Sequence, residues 1–175
     1  MRKVVVVFGL SGSGKSFLAK IISEEFGYEW LRSDVIRKEM AGIPPMKRAR
    51  SKFGSGIYTE DMTRRVYLEM VERASRFIRE GKRVVMDATF LKKWQREMVT
   101  SRFDRPLFIL AWAEEEEIKR RLSKRVDVSD ADFGIYLKQK EVFEPPEEIS
   151  YVRINTHRSA EDLKSILRDL FQNDP

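Results

Sequence analysis

Residues 3–16 of this 175-residue chain read KVVVVFGLSGSGKS, and this stretch decides the fold. Four consecutive valines and a phenylalanine form a short apolar run that is typical of a strand buried on both faces. A turn with three glycines follows, and a helix is predicted after it, with an apolar side formed by Phe17, Leu18, Ile21, Ile22 and Phe26. The order of strand, glycine-rich turn and helix predicts a loop whose backbone N–H groups gather around an anion.

This loop, residues 9–16, fits the pattern G-x-x-x-x-G-K-[ST] at every fixed position, and we call it the phosphate loop. Its glycines can adopt left-handed conformations that turn the amides inward, and the helix N-terminus adds the positive end of its dipole. Lys15 is expected to reach the β- and γ-phosphates of a nucleoside triphosphate, and the Ser16 hydroxyl to ligate Mg²⁺. The predicted nucleotide-binding residues are Gly9, Leu10, Ser11, Gly12, Ser13, Gly14, Lys15 and Ser16.

The rest of the chain alternates predicted strands and helices. This alternation is typical of an α/β architecture, in which helices cover both faces of a parallel sheet. No internal repeat, low-complexity tract or linker divides the chain, so a single domain over residues 1–175 is predicted. Predicted strands cover 3–8, 28–32, 83–86, 107–112 and 151–154. Predicted helices cover 15–26, 35–40, 59–81, 92–103, 114–125, 130–143 and 159–171.

The composition narrows the classes of function. The chain has 34 Lys and Arg against 28 Asp and Glu, and its net charge of +6 favours polyanionic ligands such as nucleotides. It has no cysteine and one histidine, His157, which excludes disulfides, thiolate metal sites and His-rich metal sites. The longest apolar run, 4–8, is too short to cross a bilayer, and no signal-peptide pattern precedes it. We therefore expect a cytoplasmic protein that makes no use of a membrane.

Two motifs that are typical of other classes of P-loop protein are missing from this sequence. GTPases carry an N-K-x-D motif for base recognition, and the sequence has none. Motor-type ATPases usually carry an apolar strand that ends in Asp-Glu, whereas Ala88 follows Asp87 here. These features favour a kinase, with a nucleotide-dependent switch or an ATPase that has no acceptor as the alternative.

The segment LRSDVIRK, 31–38, distinguishes these possibilities further. It follows the second predicted strand and should lie beside the phosphate loop at the carboxyl edge of the sheet, where ligands bind in this architecture. Asp34 can orient an acceptor hydroxyl there and take its proton during phosphoryl transfer. Arg37 can hold an anionic part of the acceptor. The alternative is that Ser33 or Asp34 only caps the short helix.

Six segments of the chain match a known pattern: GLSGSGKS (9–16), RSDVIRKEMAG (32–42), GIYTEDMTRRVY (56–67), VVMDATFL (84–91), RRLSKR (120–125) and the stretch from SDAD to QKEVFEPP (129–146). Together they resemble the small P-loop kinases related to polynucleotide kinase, zeta toxin, gluconate kinase and chloramphenicol phosphotransferase. The likeness covers nearly the whole chain and is closest to a bacterial group of ATP-binding proteins. It implies a three-layer α/β fold of the kinase-type P-loop NTPases, with a central parallel sheet of about five strands and a small helical lid near 118–140.

The resemblance also implies roles for individual residues. Asp34 matches the aspartate that activates the acceptor, and Arg37 matches the arginine that contacts the acceptor phosphate in polynucleotide kinases. Asp87 matches a carboxylate near the acceptor and the metal-bound waters. Arg121 and Arg125 fall on the lid helix, where arginines neutralise the transferring phosphoryl group.

Two further parts of the site follow from the same resemblance. The loop after the last strand, which contains Arg158, is expected to complete the adenine pocket, where an arginine can stack on the base. The chain departs from its relatives at 126–132, because many of them carry a longer and arginine-rich lid there.

The acceptor is the least determined part of the prediction. Residues 46–53 include four basic side chains and a phenylalanine, which is typical either of a surface that binds a nucleic-acid strand or of a solvated loop. We predict ATP- and Mg²⁺-dependent transfer of the γ-phosphoryl group to a hydroxyl, with a 5′-hydroxyl polynucleotide end as the first choice of acceptor. The alternative is a small-molecule hydroxyl on a sugar, nucleoside, nucleotide sugar or antibiotic.

Overall fold

The computed structural model describes residues 1–44, 56–124 and 130–174, without the side chains of 130–132. The strands are β1 (Val4–Phe8), β2 (Tyr28–Arg32), β3 (Arg83–Asp87), β4 (Leu107–Trp112) and β5 (Tyr151–Asn155). The helices are α1 (Lys15–Phe26), α2 (Ser33–Met40), α3 (Glu60–Arg79), α4 (Lys93–Arg102), α5 (Glu115–Ser123), α6 (Asp130–Val142) and α7 (Ala160–Gln172), with a short 3₁₀ turn over Gly56–Tyr58.

The five strands form one sheet in the order β2-β3-β1-β4-β5. Every neighbouring pair is parallel, so all five strands end at the same edge of the sheet. The central strand β1 delivers the phosphate loop to that edge, with the end of β3 beside it and the end of β2 next along.

The valine run of β1 packs in two directions, because successive side chains of a strand point to opposite faces. Val4, Val6 and Phe8 belong to the core under α3 and α4, whereas Val5 and Val7 belong to the core under α1 and α7. All five side chains are buried. The three-layer α/β fold with a five-stranded parallel sheet, predicted from the sequence, is therefore confirmed.

Helices α5 and α6 form a small unit above the phosphate loop, which we call the lid. Ile118, Leu122 and Tyr136 make its apolar centre, and Leu10 of the phosphate loop packs against them. Lys140 on α6 donates to Glu115 on α5 over 2.7 Å. The lid is thus packed directly onto the phosphate loop.

Some local features differ from the sequence-based expectations. Helix α2 begins at Ser33, two residues earlier than predicted, and its N-cap is Arg32. Asp34 therefore lies in the first turn of the helix, and neither it nor Ser33 occupies the capping position. Phe17, expected on the apolar side of α1, is 45% exposed. Across the described parts of the chain, the helices are all too short or too polar to cross a membrane.

Candidate active site

The phosphate loop separates two cavities at the carboxyl edge of the sheet. The larger one has a volume of about 720 Å³ and the smaller one about 430 Å³, and Lys15 and Ser16 line both. The larger cavity also has Asp34, Arg37, Asp87 and Gln139 in its wall. The smaller cavity also has Phe17, Arg121, Thr156, His157 and Arg158 in its wall.

The backbone of the phosphate loop depends on its glycines. Gly14 caps α1 at a φ of 88°, and a Cβ atom placed there would lie 2.7 Å from the Thr156 hydroxyl. Gly9 has a φ of 140°, and its Cβ atom would lie 2.5 Å from the carbonyl oxygen of Ala111. Any larger residue at either position would push the loop away from its neighbours. This backbone has the left-handed glycine conformations that the predicted anion cradle requires, and its binding of phosphate stays a prediction.

The donor set of the loop fits a polyphosphate. Helix α1 begins without a side-chain cap and without an acidic residue in its first turn, so its amide groups and dipole can face an anion. Lys15 extends along the loop and donates to the carbonyl of Leu10 over 3.1 Å. The arrangement combines backbone donors, a helix N-terminus and an ammonium group on one side of a cavity.

Ser16 and Asp87 form the part of the site that can hold Mg²⁺. The Ser16 hydroxyl donates to Oδ2 of Asp87 over 2.8 Å, and Asp87 is only 4% exposed. The described residues contain no cluster of three or more His, Cys, Asp or Glu side chains that could hold a metal alone. A magnesium ion at this place would take its other oxygen ligands from phosphate groups and water, which is the usual pattern for this ion.

Asp87 has two partners that the sequence analysis missed. Trp30 donates to Oδ2 of Asp87 over 3.2 Å, and the Arg32 guanidinium lies 3.8 Å from the same oxygen. Trp30 and Arg32 are two residues apart on β2 and therefore share a face, and Arg32 is in register with Asp87 across the sheet. The two side chains stack on each other over 4.7 Å. They hold the carboxylate in place at the end of β3.

Asp34 also lines the larger cavity. It is exposed in the first turn of α2, close to the buried Tyr67. Burial raises the pKa of the Tyr67 hydroxyl, and the charges of Asp34 and Arg37 act on it in opposite directions. The structure thus brings Asp34, Arg37 and the phosphate loop to one cavity, as the sequence analysis expected.

Arg37 is buried, and one of its terminal nitrogens, Nη1, is hydrogen-bonded within the protein. Its Nη1 donates to the carbonyl of Ile57 over 2.9 Å and to the Thr63 hydroxyl over 3.1 Å, and the group stacks on Tyr58 at 4.9 Å. Its Nε is buried without a hydrogen-bond partner among the described residues. Arg37 also lines the larger cavity, where its positive charge fits an anionic ligand.

The predicted lid arginines have different positions. Arg121 donates to the carbonyl of Gly12 over 3.1 Å, to Thr156 over 2.9 Å and to Glu117 over 2.9 Å. It therefore lies beside the smaller cavity with Arg158 and away from the larger one. Its predicted action on the transferring phosphoryl group stays a prediction. Arg125 lies outside the described residues, as does the basic segment 46–53.

Thr156 was also missed by the sequence analysis. Its hydroxyl donates to the carbonyl of Ser13 over 2.6 Å and accepts from Arg121. The side chain also packs against Gly14, as the short distance to a Cβ there indicates. Thr156 therefore supports the back of the phosphate loop, and Arg121 ties it to the lid.

The ion pairs of Glu117 predict how the free energy of unfolding of the protein depends on pH. Hydrogen bonds from Arg120, opposed by burial and reinforced by Arg121, hold the pKa of Glu117 at about 2, below its ordinary value of 4.5. The unfolded chain then binds more protons between these two pH values, so the free energy of unfolding falls as the pH is lowered through them. We expect the Glu117→Gln variant to lose part of this slope in urea unfolding measured between pH of about 5 and about 3.

The matched control is Glu116→Gln, which changes an exposed carboxylate on the same helix. It should keep the slope of the unmodified protein. An identical slope in the Glu117→Gln variant would contradict the proposed ion pairing.

Comparison with known proteins places this geometry among P-loop folds. A model of the AAA domain family, AAA_33, matches residues 4–146. A sugar kinase from Janibacter sp. HTCC2649 is 21% identical with a TM-score of 0.74, over 100% of this chain and 97% of that one. A gluconokinase from Sinorhizobium meliloti 1021 is 22% identical with a TM-score of 0.63, over 99% and 100% of the two chains.

A third solved structure is the Mycobacterium tuberculosis APS kinase, in complex with AMPPNP and APS. It is 17% identical with a TM-score of 0.69, and the match covers 98% of this chain and 99% of that one. At these identities the likeness shows the fold, which is that of the kinase-type P-loop proteins. The search of curated proteins found no match.

Proposed function

We propose, from the premise that this chain belongs to the AAA domain family AAA_33, that it is a kinase that transfers the γ-phosphoryl group of ATP to a small-molecule hydroxyl. The observation that carries the proposal is the meeting of two cavities at Lys15 and Ser16, one of them lined by Asp34 and Arg37. A donor site and an acceptor site that share a phosphate loop are what phosphoryl transfer between two substrates needs.

The smaller cavity is the proposed site of the base and ribose of ATP. Phe17 offers an exposed aromatic surface there, and Arg121 and Arg158 offer guanidinium groups that can stack on a base. The phosphates then pass over the loop amides and Lys15 toward the larger cavity. Ser16, held by Asp87, would bind Mg²⁺, which neutralises charge on the phosphate oxygens when bound.

The proposed chemistry uses Asp34 as the base. Asp34 accepts the proton of the acceptor hydroxyl while that oxygen forms a bond to the γ-phosphorus, and the bond from this phosphorus to the oxygen of ADP breaks. The exposed position of Asp34 lets an acceptor approach it, and the burial of Arg37 gives the acceptor a fixed charged partner.

The size of the larger cavity favours a small acceptor. Pockets for small molecules usually measure about 300–1,000 Å³, and this cavity has about 720 Å³. The solved structures compared above are named as sugar, gluconate and APS kinases. The polynucleotide end, our first choice from the sequence, rested on the resemblance to polynucleotide kinases and on the basic segment 46–53, which lies outside the described residues. The alternative acceptor, a small-molecule hydroxyl, therefore becomes the proposal, and a cytoplasmic location stays a prediction.

Acceptor dependence of ADP production tests the proposal. The purified protein is supplied with Mg·ATP and with hydroxyl compounds in pairs that differ only in a carboxylate or phosphate group, and with 5′-hydroxyl oligonucleotides. We expect ADP production to require a small-molecule acceptor and to be fastest with its anionic form. ADP production that is the same without any acceptor would indicate an ATPase instead, and activity confined to oligonucleotides would restore the polynucleotide acceptor.

The Arg37→Met variant then tests how the acceptor is recognised. A hydrogen bond to a charged group contributes about 1.5–3 kcal/mol, so we expect KM for the anionic acceptor to rise roughly 10- to 100-fold. KM for its uncharged counterpart should change little. The control is Arg65→Met, an exposed position on α3. An equal rise in KM for both acceptors would contradict a role in charge recognition.

A further inference from the structure

One face of α6 lines the larger cavity and carries a single polar side chain between two apolar ones. Ile135, Gln139 and Val142 lie at helical spacings of four and three and all reach the cavity wall. Two of these side chains are apolar, and the third is a carboxamide that is only 7% exposed. A buried polar side chain on an otherwise apolar face costs free energy unless its polar atoms are bonded, so Gln139 needs a partner for each end of its amide.

One end of this carboxamide has a partner on the phosphate loop. The backbone N–H of Ser11 donates to Oε1 of Gln139 over 2.8 Å. Because a backbone N–H can only donate, the side-chain oxygen must face Ser11, and the NH₂ group must point away from it. No hydrogen bond from that NH₂ group is found among the described residues, and the group is not one of the buried atoms without a partner, so it remains accessible at the cavity wall.

Contacts on both sides of Gln139 hold this part of α6 in place. Tyr136, one turn earlier on α6, is buried against Ile118 and Leu122. Just after the helix, the backbone N–H of Glu144 donates to the carbonyl of Leu91 over 2.8 Å. The carboxamide is thus positioned above the loop by contacts that do not involve the side chain itself.

We infer that Gln139 is a γ-phosphate-contacting residue of the lid, which donates its NH₂ hydrogens to the transferring phosphoryl group while its oxygen stays on Ser11. The inference rests on the proposed function. Lys15, Asp34 and Gln139 line the same cavity, which under the proposed function is the cavity where the γ-phosphoryl group meets the acceptor. The two donors add to those of Lys15 at the place where negative charge spreads over the phosphoryl oxygens.

Binding of Mg·ADP and Mg·AMPPNP, measured by calorimetry, separates this role from a purely structural one. In the Gln139→Leu variant, we expect the affinity for Mg·AMPPNP to fall about ten-fold or more, because a hydrogen bond to a charged group is lost. The affinity for Mg·ADP, which lacks the γ-phosphate, should stay within about two-fold. The control is Leu137→Ala, an exposed position on the same helix, and both of its affinities should be unchanged.

The Gln139→Glu variant keeps an oxygen for Ser11 but replaces the two donors with a negative charge. We expect it to lose more Mg·AMPPNP affinity than Gln139→Leu does, with thermal unfolding close to that of the unmodified protein. Equal losses for both nucleotides in Gln139→Leu, or unchanged Mg·AMPPNP binding in Gln139→Glu, would overturn the inference while leaving the proposed function in place. If the unmodified protein bound neither nucleotide, the proposed function itself would fail, and the inference with it.

Discussion

Replacing Asp34 with asparagine is expected to lower kcat for phosphoryl transfer by roughly 10²- to 10⁴-fold, the usual contribution of a positioned general base. Asparagine has nearly the same shape as aspartate but cannot accept the hydroxyl proton. The side chain is exposed in the first turn of α2, so the change should leave the fold intact. Mg·AMPPNP affinity, measured in the same preparation, should stay within about two-fold because nucleotide binding is assigned to the other side of the loop.

The control for this variant is Glu39→Gln, which removes an exposed carboxylate from the same helix. Glu39 pairs with Arg73 on the surface, and such pairs contribute little to stability. Its kcat should match that of the unmodified protein. An Asp34→Asn variant with normal kcat would show that another group takes the proton, and the mechanism would have to be reassigned.

Replacing Arg96 with methionine is expected to lower the free energy of unfolding far more than replacing an exposed arginine does. Arg96 is fully buried on α4 and pairs through its Nε with Glu148, while its Nη1 donates to the carbonyl of Phe90 over 2.9 Å. Burial raises the pKa of Glu148, but the hydrogen bond and the charge of Arg96, together with a backbone hydrogen bond and the charge of Lys93, outweigh it, and the net direction is downward. Removing Arg96 leaves the carbonyl of Phe90 without its buried partner and unpairs Glu148, whose side chain is 17% exposed, so we expect a cost of about 3 kcal/mol.

The loss should also disturb the wall of the larger cavity. Phe90 has a φ of 45°, a left-handed conformation that is unfavourable for a residue with a side chain, and Arg96 and Tyr67 hold its carbonyl and its N–H. Its neighbours Thr89 and Leu91 line the cavity. Without Arg96 the strained turn can relax and move these residues.

Thermal unfolding measures this effect. For a chain of this length, a loss of about 3 kcal/mol corresponds to a decrease in Tm of roughly 6–12 °C. The control is Arg79→Met, an exposed arginine at the end of α3, for which we expect a change below about 1 °C. A decrease of less than about 2 °C for Arg96→Met would contradict the structural role of the buried pair.

The parts of the site that depend on neighbouring residues could be predicted from the sequence. The phosphate loop combines a buried strand, glycines at fixed positions and a helix start, and each of these is a local property. The alternation of strands and helices predicted the layers of the fold. Because parallel strands end at one edge, the position of Asp34 after the second strand placed it near the loop without further information.

The parts that depend on contacts between distant segments could not be predicted. Gln139 reaches Ser11 across 128 residues, and Thr156 reaches Ser13 across 143. Neither residue belongs to a motif, and an isolated Gln or Thr in a helix or loop is most often a solvated side chain. Arg37 was expected near the acceptor, but its burial against Ile57 and Thr63 depends on how α2 packs on α3.

Two further side chains, Arg96 and Phe17, have positions that could not be predicted from the sequence. Arg96 reads as an ordinary charge on a helix, and only the fold shows that it is fully buried. Phe17 was expected to join the apolar side of α1, yet it lies at the first turn, where the helix leaves the sheet edge and faces the smaller cavity. In both cases the direction of the side chain is set by packing between elements and not by local pattern.

The most direct test of the central claim follows the γ-phosphate itself. The protein is incubated with Mg·ATP labelled at the γ-phosphorus and with the small-molecule acceptor that best supports ADP production, and the products are separated. The account predicts one labelled phosphoryl group covalently bound to the acceptor for each ADP formed, and none with the Asp34→Asn variant. Label that appears only as inorganic phosphate, in equal amounts with and without the acceptor, would contradict it.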